Sequence, residues 1–239
     1  MSKIYNYKVG EILLVDKPLT WSSFQVVNKL RWKMKNVIGI KNIKVGHAGT
    51  LDPLATGLLI LCTGKKTKTI DTFMGLEKSY SGTITIGSTR PSYDMESEID
   101  ATFPTEHITD DLIKVTAAKM VGDYDQMPPI FSAKKVNGKR AYAYARAGEE
   151  VILQPKLINI SKFEVIKIDG LNIDFIINCS KGTYIRSIAH DFGQLIESGA
   201  HLSGLRREKI GDYDVKNAKS VEEWLEEIES SEFEHDLNN

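Results

Sequence analysis

Alternating and continuous runs of hydrophobic residues, separated by turn-forming residues, dominate the chain. LLILC at 58–62 is a continuous apolar run, which is typical of a buried strand. In SYSGTITIG at 79–87, the residues Tyr80, Gly82, Ile84 and Ile86 alternate with small polar residues, which is the period of a strand. Further strands are predicted at 11–20, where Lys17 and Pro18 end the run, at 158–166 and at 171–179.

Helical spacing, with apolar residues three and four positions apart, marks other segments. The predicted helices are Ser22 or Ser23 to Met34 with a serine cap, a short one between Lys68 and Phe73, 109–120 with a threonine cap, and 181–199 with Ile185, Ile188, Ala189, Phe192 and Leu195 on one face. We expect a long loop at 88–107 and a basic turn at 205–211. Because the strands do not alternate regularly with helices, the pattern predicts an α+β fold with a mixed, mostly antiparallel sheet flanked by helices and loops.

Charge is distributed unevenly along the chain. The 239 residues carry a net charge of −1, but residues 220–239 hold eight acidic residues and no Lys or Arg. The remaining 219 residues carry 31 basic against 24 acidic side chains, a net charge of +7. A basic body suggests a polyanionic partner such as nucleic acid, although a mixed solvated surface is the simpler alternative.

The composition argues against a membrane or secreted protein. No apolar run approaches the roughly 18 residues that a membrane helix needs, and MSKIYNYKVG has no apolar signal core. The two cysteines, Cys62 and Cys179, lie inside strand-like runs, which fits a reduced compartment. We therefore expect a cytoplasmic protein that does not bind membranes.

GHAGTLDPLATGLL, at 46–59, places one acidic residue, Asp52, among small and apolar residues. An Asp–Pro pair is often a helix N-cap, although Gly57 leaves barely one turn to cap. A phosphate-binding loop is excluded by its glycine spacing, and His47 with Asp52 supplies at most two metal ligands. The alternative to capping is a nucleophile or general base on a glycine-rich loop, and the residues alone leave both open.

A cation to match that carboxylate is found in KGTYIR. Arg186 falls in the first turn of a predicted helix directly after a strand, and a guanidinium beside Asp52 would keep the carboxylate ionised and oriented. The simpler alternative for Arg186 is an exposed helix residue.

Four motifs in order point to a known family: VDKPLTWSS, GHAGTLDPLATGLL, SAKKVNGKRAYAYAR and KGTYIRSIAHDFG. From about residue 11 to residue 211 the chain resembles the TruB family, the tRNA pseudouridine-55 synthases. The resemblance implies the pseudouridine synthase fold and isomerisation of uridine in the T loop of tRNA, after the base has flipped out of its stack. This isomerisation is redox neutral and uses no external atom, so we expect neither a cofactor nor a metal. Because no long heptad pattern or exposed apolar strip demands a partner, we expect a monomer without an obligatory protein partner.

The resemblance assigns roles to single residues. Asp52 matches the catalytic aspartate, Tyr80 the tyrosine that stacks on the flipped uracil, and Arg186 the arginine that pairs with the aspartate. Tyr184 and Leu205 match residues of the uracil pocket, and His47 matches the histidine that replaces extruded bases of the T loop. Lys17 and Pro18 match a motif that supports the catalytic loop, and Asp94 matches an acidic residue beside the pocket.

Two departures and two alternatives remain. STRPSYD lacks the Thr-Asp-Thr run that is common before Asp94 in relatives. Residues 1–211 are expected to form the catalytic domain and 212–239 an acidic tail, without the RNA-binding PUA domain that many relatives carry. Within the tail, SVEEWLEEI is expected to form a short helix, and residues 230–239 are expected to be dispensable. The alternative functions are a non-catalytic tRNA-folding chaperone and a pseudouridine synthase that acts on another RNA, as guide-RNA-directed relatives do.

Overall fold

A computed structural model describes residues 4–39, 42–131, 135–136, 139–140 and 153–231. The helices in these residues are α1 (Ser23–Ile38), α2 (Ile70–Gly75), α3 (Asp110–Lys119), α4 (Ile185–Leu195) and α5 (Val221–Ser230). The strands are β1 (Ile12–Lys17), β2 (Val45–His47), β3 (Ala55–Thr63), β4 (Lys78–Ile86), β5 (Ser88–Thr89), β6 (Ala101–Thr102), β7 (Gly122–Gln126), β8 (Lys135–Val136), β9 (Lys139–Arg140), β10 (Lys156–Asp169), β11 (Asn172–Cys179), β12 (Ala200–Ile210) and β13 (Tyr213–Asp214).

The chain forms two compact units, and each is described by itself. The first unit combines both ends of the chain, Met1–Lys78 and Arg206–Asn239, whereas the second unit is the continuous segment Ser79–Leu205. The expected division of the chain at residue 211 into a catalytic domain and a tail stays a prediction.

In the first unit, antiparallel strands are covered by two helices. β3 pairs with β1 from Ile12 opposite Cys62 to Lys17 opposite Gly57, and it also pairs with β2. α1 begins after Ser22, whose hydroxyl accepts from the backbone of Gln25 in a capping box, as the serine-capped prediction requires. The buried face of α1 comprises Val26, Val27, Leu30 and Met34. The helix ends at Ile38, one turn beyond the predicted end at Met34.

The predicted helix SVEEWLEEI is present as α5 and packs in the same core. Ser220 caps it in a second capping box with Glu223. Val221, Trp224 and Ile228 are buried, and the Trp224 indole donates to Leu14 O at 2.8 Å. The acidic residues of the helix therefore accompany an apolar face that closes the core of the first unit.

The second unit contains a sheet in the order β12, β4, β11, β10 and β7, to which β12 contributes its first half. β10 pairs antiparallel with β11 and with β7, and α3, capped by Thr109, packs on β10. The expected loop at 88–107 is closed at its base by the short pair β5 and β6. Among the described residues, the named pairs around β3, β10 and β12 are antiparallel, which confirms the predicted α+β class.

Three details of the predicted elements are wrong. LRREKIG is not a turn but the second half of β12, because Arg207 turns its charge inward where the sequence pattern suggests solvent. β7 was not predicted, since GDYDQ carries two acidic residues and little apolar character. Leu195 was placed on the buried face of α4 but is 54% exposed.

Candidate active site

Asp52 does not begin a helix. Pro53 and Leu54 form a turn, and β3 starts immediately afterwards at Ala55, whose N–H donates to Asp52 O at 3.0 Å. The capping interpretation is therefore wrong, because no helix follows the carboxylate. We call residues 48–54, between β2 and β3, the Asp52 loop; the Asp52 side chain within it is half-buried.

The main chain of the Asp52 loop is held at two residues before the aspartate. Gly49 O accepts from the Arg207 guanidinium at 3.1 Å. Leu51 donates its N–H to the Ser23 hydroxyl at 2.8 Å, and that hydroxyl donates to Leu51 O at 3.1 Å. Since Ser23 is the first residue of α1 and Arg207 lies in β12, two regular elements fix the loop that presents Asp52.

Lys17 holds the loop on the other side. Its ammonium is fully buried at the end of β1 and donates to Trp21 O at 2.5 Å, to Pro18 O at 2.9 Å and to Pro53 O at 3.5 Å. Desolvation lowers the pKa of Lys17 to about 8, and the carboxylate of Asp52 acts in the opposite direction. The residue that was expected to support the loop is thus a buried cation in the electrostatic environment of Asp52.

The backbone of β12 approaches β3 closely where Arg207 faces Gly57. Arg207 is 1% exposed and donates Nε to Leu58 O at 2.7 Å. Gly57 has a φ of +100°, and a Cβ at that position would lie 2.3 Å from Arg207 O. Only glycine satisfies both conditions, which explains the second glycine of the GTLDPLATG stretch.

His47 ends β2 and pairs with Leu61 of β3. Its imidazole is half-buried, and burial, reinforced by the nearby Arg207 guanidinium, lowers the pKa of His47. This environment favours a neutral imidazole at neutral pH.

Arg186 is buried, so the alternative of an exposed helix residue is wrong. It lies in the first turn of α4, is 5% exposed, and donates Nη1 to Phe131 O at 3.0 Å and to Ser92 O at 3.3 Å. Its Nε lies 3.5 Å from a carboxylate oxygen of Asp94, which is also buried. The structure therefore brings together the predicted arginine and the predicted acidic loop residue.

Side-chain contacts fix the loop that carries this acid, residues 90–97, which we call the Asp94 loop. The Ser92 hydroxyl donates to Asp94 O at 3.1 Å and accepts from Ser97 N at 3.1 Å, while Ser92 N donates to the Ser97 hydroxyl at 3.0 Å. Asp94 Oδ1 accepts from Glu96 N at 3.0 Å. The loop is thus closed on itself around a buried carboxylate.

The remaining predicted site residues also occupy defined positions in the second unit. Tyr80 is buried in β4, and Leu205 is half-buried in β12. Tyr184 precedes α4, where its N–H donates to the Gln126 side chain at 2.7 Å and its carbonyl accepts from the same amide at 3.0 Å. β7 thereby orients the backbone of KGTYIR.

The predicted site residues are divided between the two units. Asp52 and His47 belong to the first unit, and Tyr80, Tyr184, Arg186 and Leu205 to the second. The pairing of Asp52 with Arg186 joins residues of both units and stays a prediction.

A model described as the N-terminal domain of TruB family pseudouridylate synthases matches residues 35–185, which is well over half of the chain. The chain belongs to the TruB family. A tRNA pseudouridine synthase B of Flavobacterium johnsoniae is 57% identical over 216 residues, covering 90% of this chain and 94% of the relative. The protein of the same name from Phocaeicola vulgatus is 50% identical over 233 residues, covering 98% of this chain and 99% of the relative.

Solved structures agree on the fold. The crystal structure of a Cbf5–Nop10–Gar1 complex matches with a TM-score of 0.67 at 23% identity over 92% of this chain. An H/ACA ribonucleoprotein bound to a substrate RNA containing 2′-deoxyuridine matches with a TM-score of 0.66 at 22% identity, also over 92% of this chain. This chain spans about half the length of those solved chains, 55% and 53% respectively.

Within the TruB family, the sequence of the Asp94 loop is a departure whose contacts are now visible. STRPSYD lacks the Thr-Asp-Thr run, and Ser92 with Ser97 supplies the hydrogen bonds that fix the loop. In this chain, Asp94 of the loop lies beside Arg186.

Two features of the first unit were not predicted from the sequence. The first is Arg207, whose inward orientation has no local signal in LRREKIG. The second is a group of exposed lysines that backbone hydrogen bonds bring together, from Gly64 N to Lys44 O and from Lys65 N to Val9 O, each 2.9 Å. We call this group the lysine patch; its members are Lys8, Lys44, Lys65, Lys66 and Lys68.

Two segments singled out in the sequence lie partly outside the described residues. This applies to most of SAKKVNGKRAYAYAR, of which only β8 and β9 are described, and to residues 232–239 of the acidic tail. In the part of the chain that is described, no three His, Cys, Asp or Glu side chains are grouped to hold a metal ion. No helix there has the length and hydropathy needed to cross a membrane.

Proposed function

We propose that this chain isomerises uridine to pseudouridine at position 55, in the T loop of tRNA, with Asp52 as the nucleophile. Membership of the TruB family and the near full-length match to tRNA pseudouridine synthase B relatives support the proposal. The observation that carries the choice of Asp52 is its setting, a half-buried carboxylate on a loop whose backbone is held on both sides.

The reaction is redox neutral and balances without an external reactant. The bond between C1′ and N1 of uridine breaks, the uracil turns, a bond between C1′ and C5 forms, and the proton on C5 is replaced by one on N1. While the C1′–N1 bond breaks, Asp52 acts in one of three ways: it attacks the sugar, it attacks the base, or it removes the 2′ proton. One carboxylate acting as nucleophile or base, one further acid–base group and one orienting cation suffice for each version.

In this proposal Tyr80 stacks on the flipped uracil and assists the late transfer of the C5 proton. Flipping a base costs a few kcal/mol, and stacking on an aromatic ring returns about 1 to 3 kcal/mol. Arg186 orients Asp52 while Asp94 holds the guanidinium. Tyr184 and Leu205 line the uracil pocket, and His47 takes the place of extruded T-loop bases.

The lysine patch supports an RNA substrate. Five exposed lysines on neighbouring backbone segments of the first unit fit a phosphate backbone, which is contacted through shape and charge. Binding through such contacts weakens steeply as salt concentration rises. We further propose that the chain acts in the cytoplasm as a monomer, without an obligatory protein partner.

The test measures tritium release from a T-arm stem-loop labelled at uridine C5. Wild-type protein should release tritium, and Asp52→Asn should be slower by about a thousandfold or more while its dissociation constant for the stem-loop is unchanged. Release from both proteins would contradict Asp52 as the nucleophile. Tight binding without release from wild type, on both the stem-loop and full-length tRNA, would favour the tRNA-folding chaperone.

A further inference from the structure

Tyr93, the residue directly before Asp94, has an unusual backbone conformation. Its φ is 63°, in the left-handed region. Apart from asparagine and aspartate, residues with a Cβ seldom adopt this region. Its N–H donates to Arg90 O and its carbonyl accepts from Leu202 N, both at 2.9 Å. Such a conformation costs about 1 kcal/mol or more and persists only where surrounding contacts hold it.

The contact that holds the Tyr93 side chain is a stack on His190. The ring centroids lie 4.0 Å apart and the planes are inclined by 15°. His190 follows Arg186 by four residues on α4, so the two side chains lie one turn apart on the same side of the helix. α4 therefore carries both Arg186 and the ring that stacks on Tyr93, the residue directly before Asp94.

The ring face of His190, rather than its nitrogens, makes this contact. Nδ1 of His190 is buried and has no hydrogen-bond partner among the described residues. Burial also lowers the pKa of His190, against the raising effect of Asp191 and Asp100, which favours an uncharged ring. An uncharged ring can remain in this buried stack without a counter-ion.

α4, which carries Arg186 and His190, is held by hydrogen bonds to β7 and to the residue that follows β7. The Tyr124 hydroxyl of β7 donates to Asp191, the residue after His190. The Ser187 hydroxyl, one residue after Arg186, donates to Met127 O at 2.8 Å. α4 is thus a rigid support against which the Asp94 loop is clamped.

We propose that His190 and Tyr93 are positioning residues, whose stack sets the Asp94 loop so that its carboxylate meets Arg186. The proposal rests on the function proposed above, in which Arg186 orients the catalytic aspartate. It assigns a role to the part of the Asp94 loop that departs from the family sequence. Neither ring touches the substrate in this role.

The first test replaces the His190 ring. His190→Ala should slow single-turnover tritium release by about tenfold, because the loop loses its stacking partner and the pair loses its geometry. The dissociation constant for the stem-loop should stay within about twofold, since ground-state binding does not depend on the pair. His190→Phe should restore the wild-type rate to within about twofold, because a phenyl ring keeps the stack without ring nitrogens.

The second test separates the ring of Tyr93 from its backbone. Tyr93→Gly adopts a φ of 63° without strain but has no ring, so it should be slowed as much as His190→Ala. Tyr93→Phe should keep the rate. The double variant His190→Ala with Tyr93→Gly should be no slower than either single variant, because both remove one shared contact.

Gln194→Ala, on the exposed side of α4, is the matched control and should behave like wild type. The inference is overturned by a wild-type rate in His190→Ala, by a His190→Phe variant as slow as His190→Ala, or by additive effects in the double variant. An equal loss of rate and RNA affinity would also overturn it, since that marks general loosening of the fold. If wild type itself releases no tritium while Asp52→Asn binds RNA equally well, the proposed function fails and takes this inference with it.

Discussion

The Asp52 loop and the Asp94 loop hold their carboxylates in opposite ways. In the Asp52 loop, buried cations bind main-chain carbonyls: Arg207 binds Gly49 O, and Lys17 binds Pro53 O. The aspartate side chain itself is left half-buried. The backbone is therefore rigid while the carboxylate keeps room for a change of bonding partner.

The Asp94 loop is held by side chains that belong to the loop itself. The hydroxyl groups of Ser92 and Ser97 close the loop, and the carboxylate of Asp94 is buried against Arg186 and the N–H of Glu96. A carboxylate enclosed in this way is suited to orienting a neighbour and poorly suited to attacking a substrate. The comparison shows that the contacts which hold an acidic residue indicate its role better than its burial alone. Contacts to the main chain leave the carboxylate able to react, and contacts to the carboxylate itself fix it in place.

The largest expected effect tests the cations of the Asp52 loop. Arg207→Met should lower the free energy of unfolding by about 2 to 4 kcal/mol, because Gly49 O and Leu58 O lose their donor in a dry site. Isomerisation should slow by more than about tenfold, since the loop loses one of its anchors. Urea denaturation and single-turnover tritium release measure the two effects.

Arg206→Met is the matched control in the same strand. The Arg206 guanidinium binds Asp16 at 2.6 and 3.0 Å, but both side chains are about one-third exposed, at 37% and 33%. Its loss should cost about 1 kcal/mol or less. Equal losses from the two variants would show that burial of Arg207 adds nothing, and the contrast between the loops would fail.

An intermediate effect tests the Asp94 loop. Ser92→Ala should cost about 1 to 3 kcal/mol, because the buried hydroxyl bonds both Asp94 O and the Ser97 backbone. Ser161→Ala, on the exposed side of β10, should stay within about 0.5 kcal/mol. Denaturation curves that cannot be told apart would mean that the loop is held by other contacts.

The smallest expected effect is a pH dependence due to Lys17. Burial lowers the pKa of Lys17 from 10.5 to about 8, so between these values the unfolded chain keeps a proton that the folded chain has lost. Stability from this residue therefore rises with pH in that window and is constant below it. Relative to Lys17→Met, the wild type should gain about 1 kcal/mol between about pH 8 and pH 9. The unfolding free energy of the wild type minus that of Lys17→Met should rise over this pH range. A difference that stays constant or falls would contradict the burial of this charge.

The regular elements were predictable where local patterns decide them. α1 has its serine cap and its apolar face at helical spacing. β11 forms within the predicted strand 171–179, and its alternating residues Ile173, Phe175 and Ile177 are buried. The second half of β12 was not predictable from local patterns. Arg207 is buried there only because Leu58 and Gly49, distant in sequence, offer carbonyls, and no local pattern contains that information.

The candidate site shows the same limit. The motifs identified Asp52, Tyr80 and Arg186 as site residues, and their roles remain predictions. The sequence suggested an exposed Arg186 in the absence of the family resemblance, because the carboxylate and carbonyls that accept it lie in residues 92–131. The helical cap at Asp52 was wrong for a related reason, since Pro53 begins a turn that strand pairing of β3 then ends.

Residues 215–220, which join β13 to α5, have a consequence for synthesis of the chain. Lys219 N donates to Leu14 O at 3.1 Å and Asp16 N donates to Lys219 O at 2.9 Å, so β1 acquires this neighbour only when residue 219 has been made. The second unit is continuous and leaves the ribosome whole, whereas the first must wait for its closing segment. Until α5 emerges from the ribosome, the nascent chain exposes the unpaired side of β1 and the apolar face of α1. Chaperones near the exit tunnel could bind these surfaces.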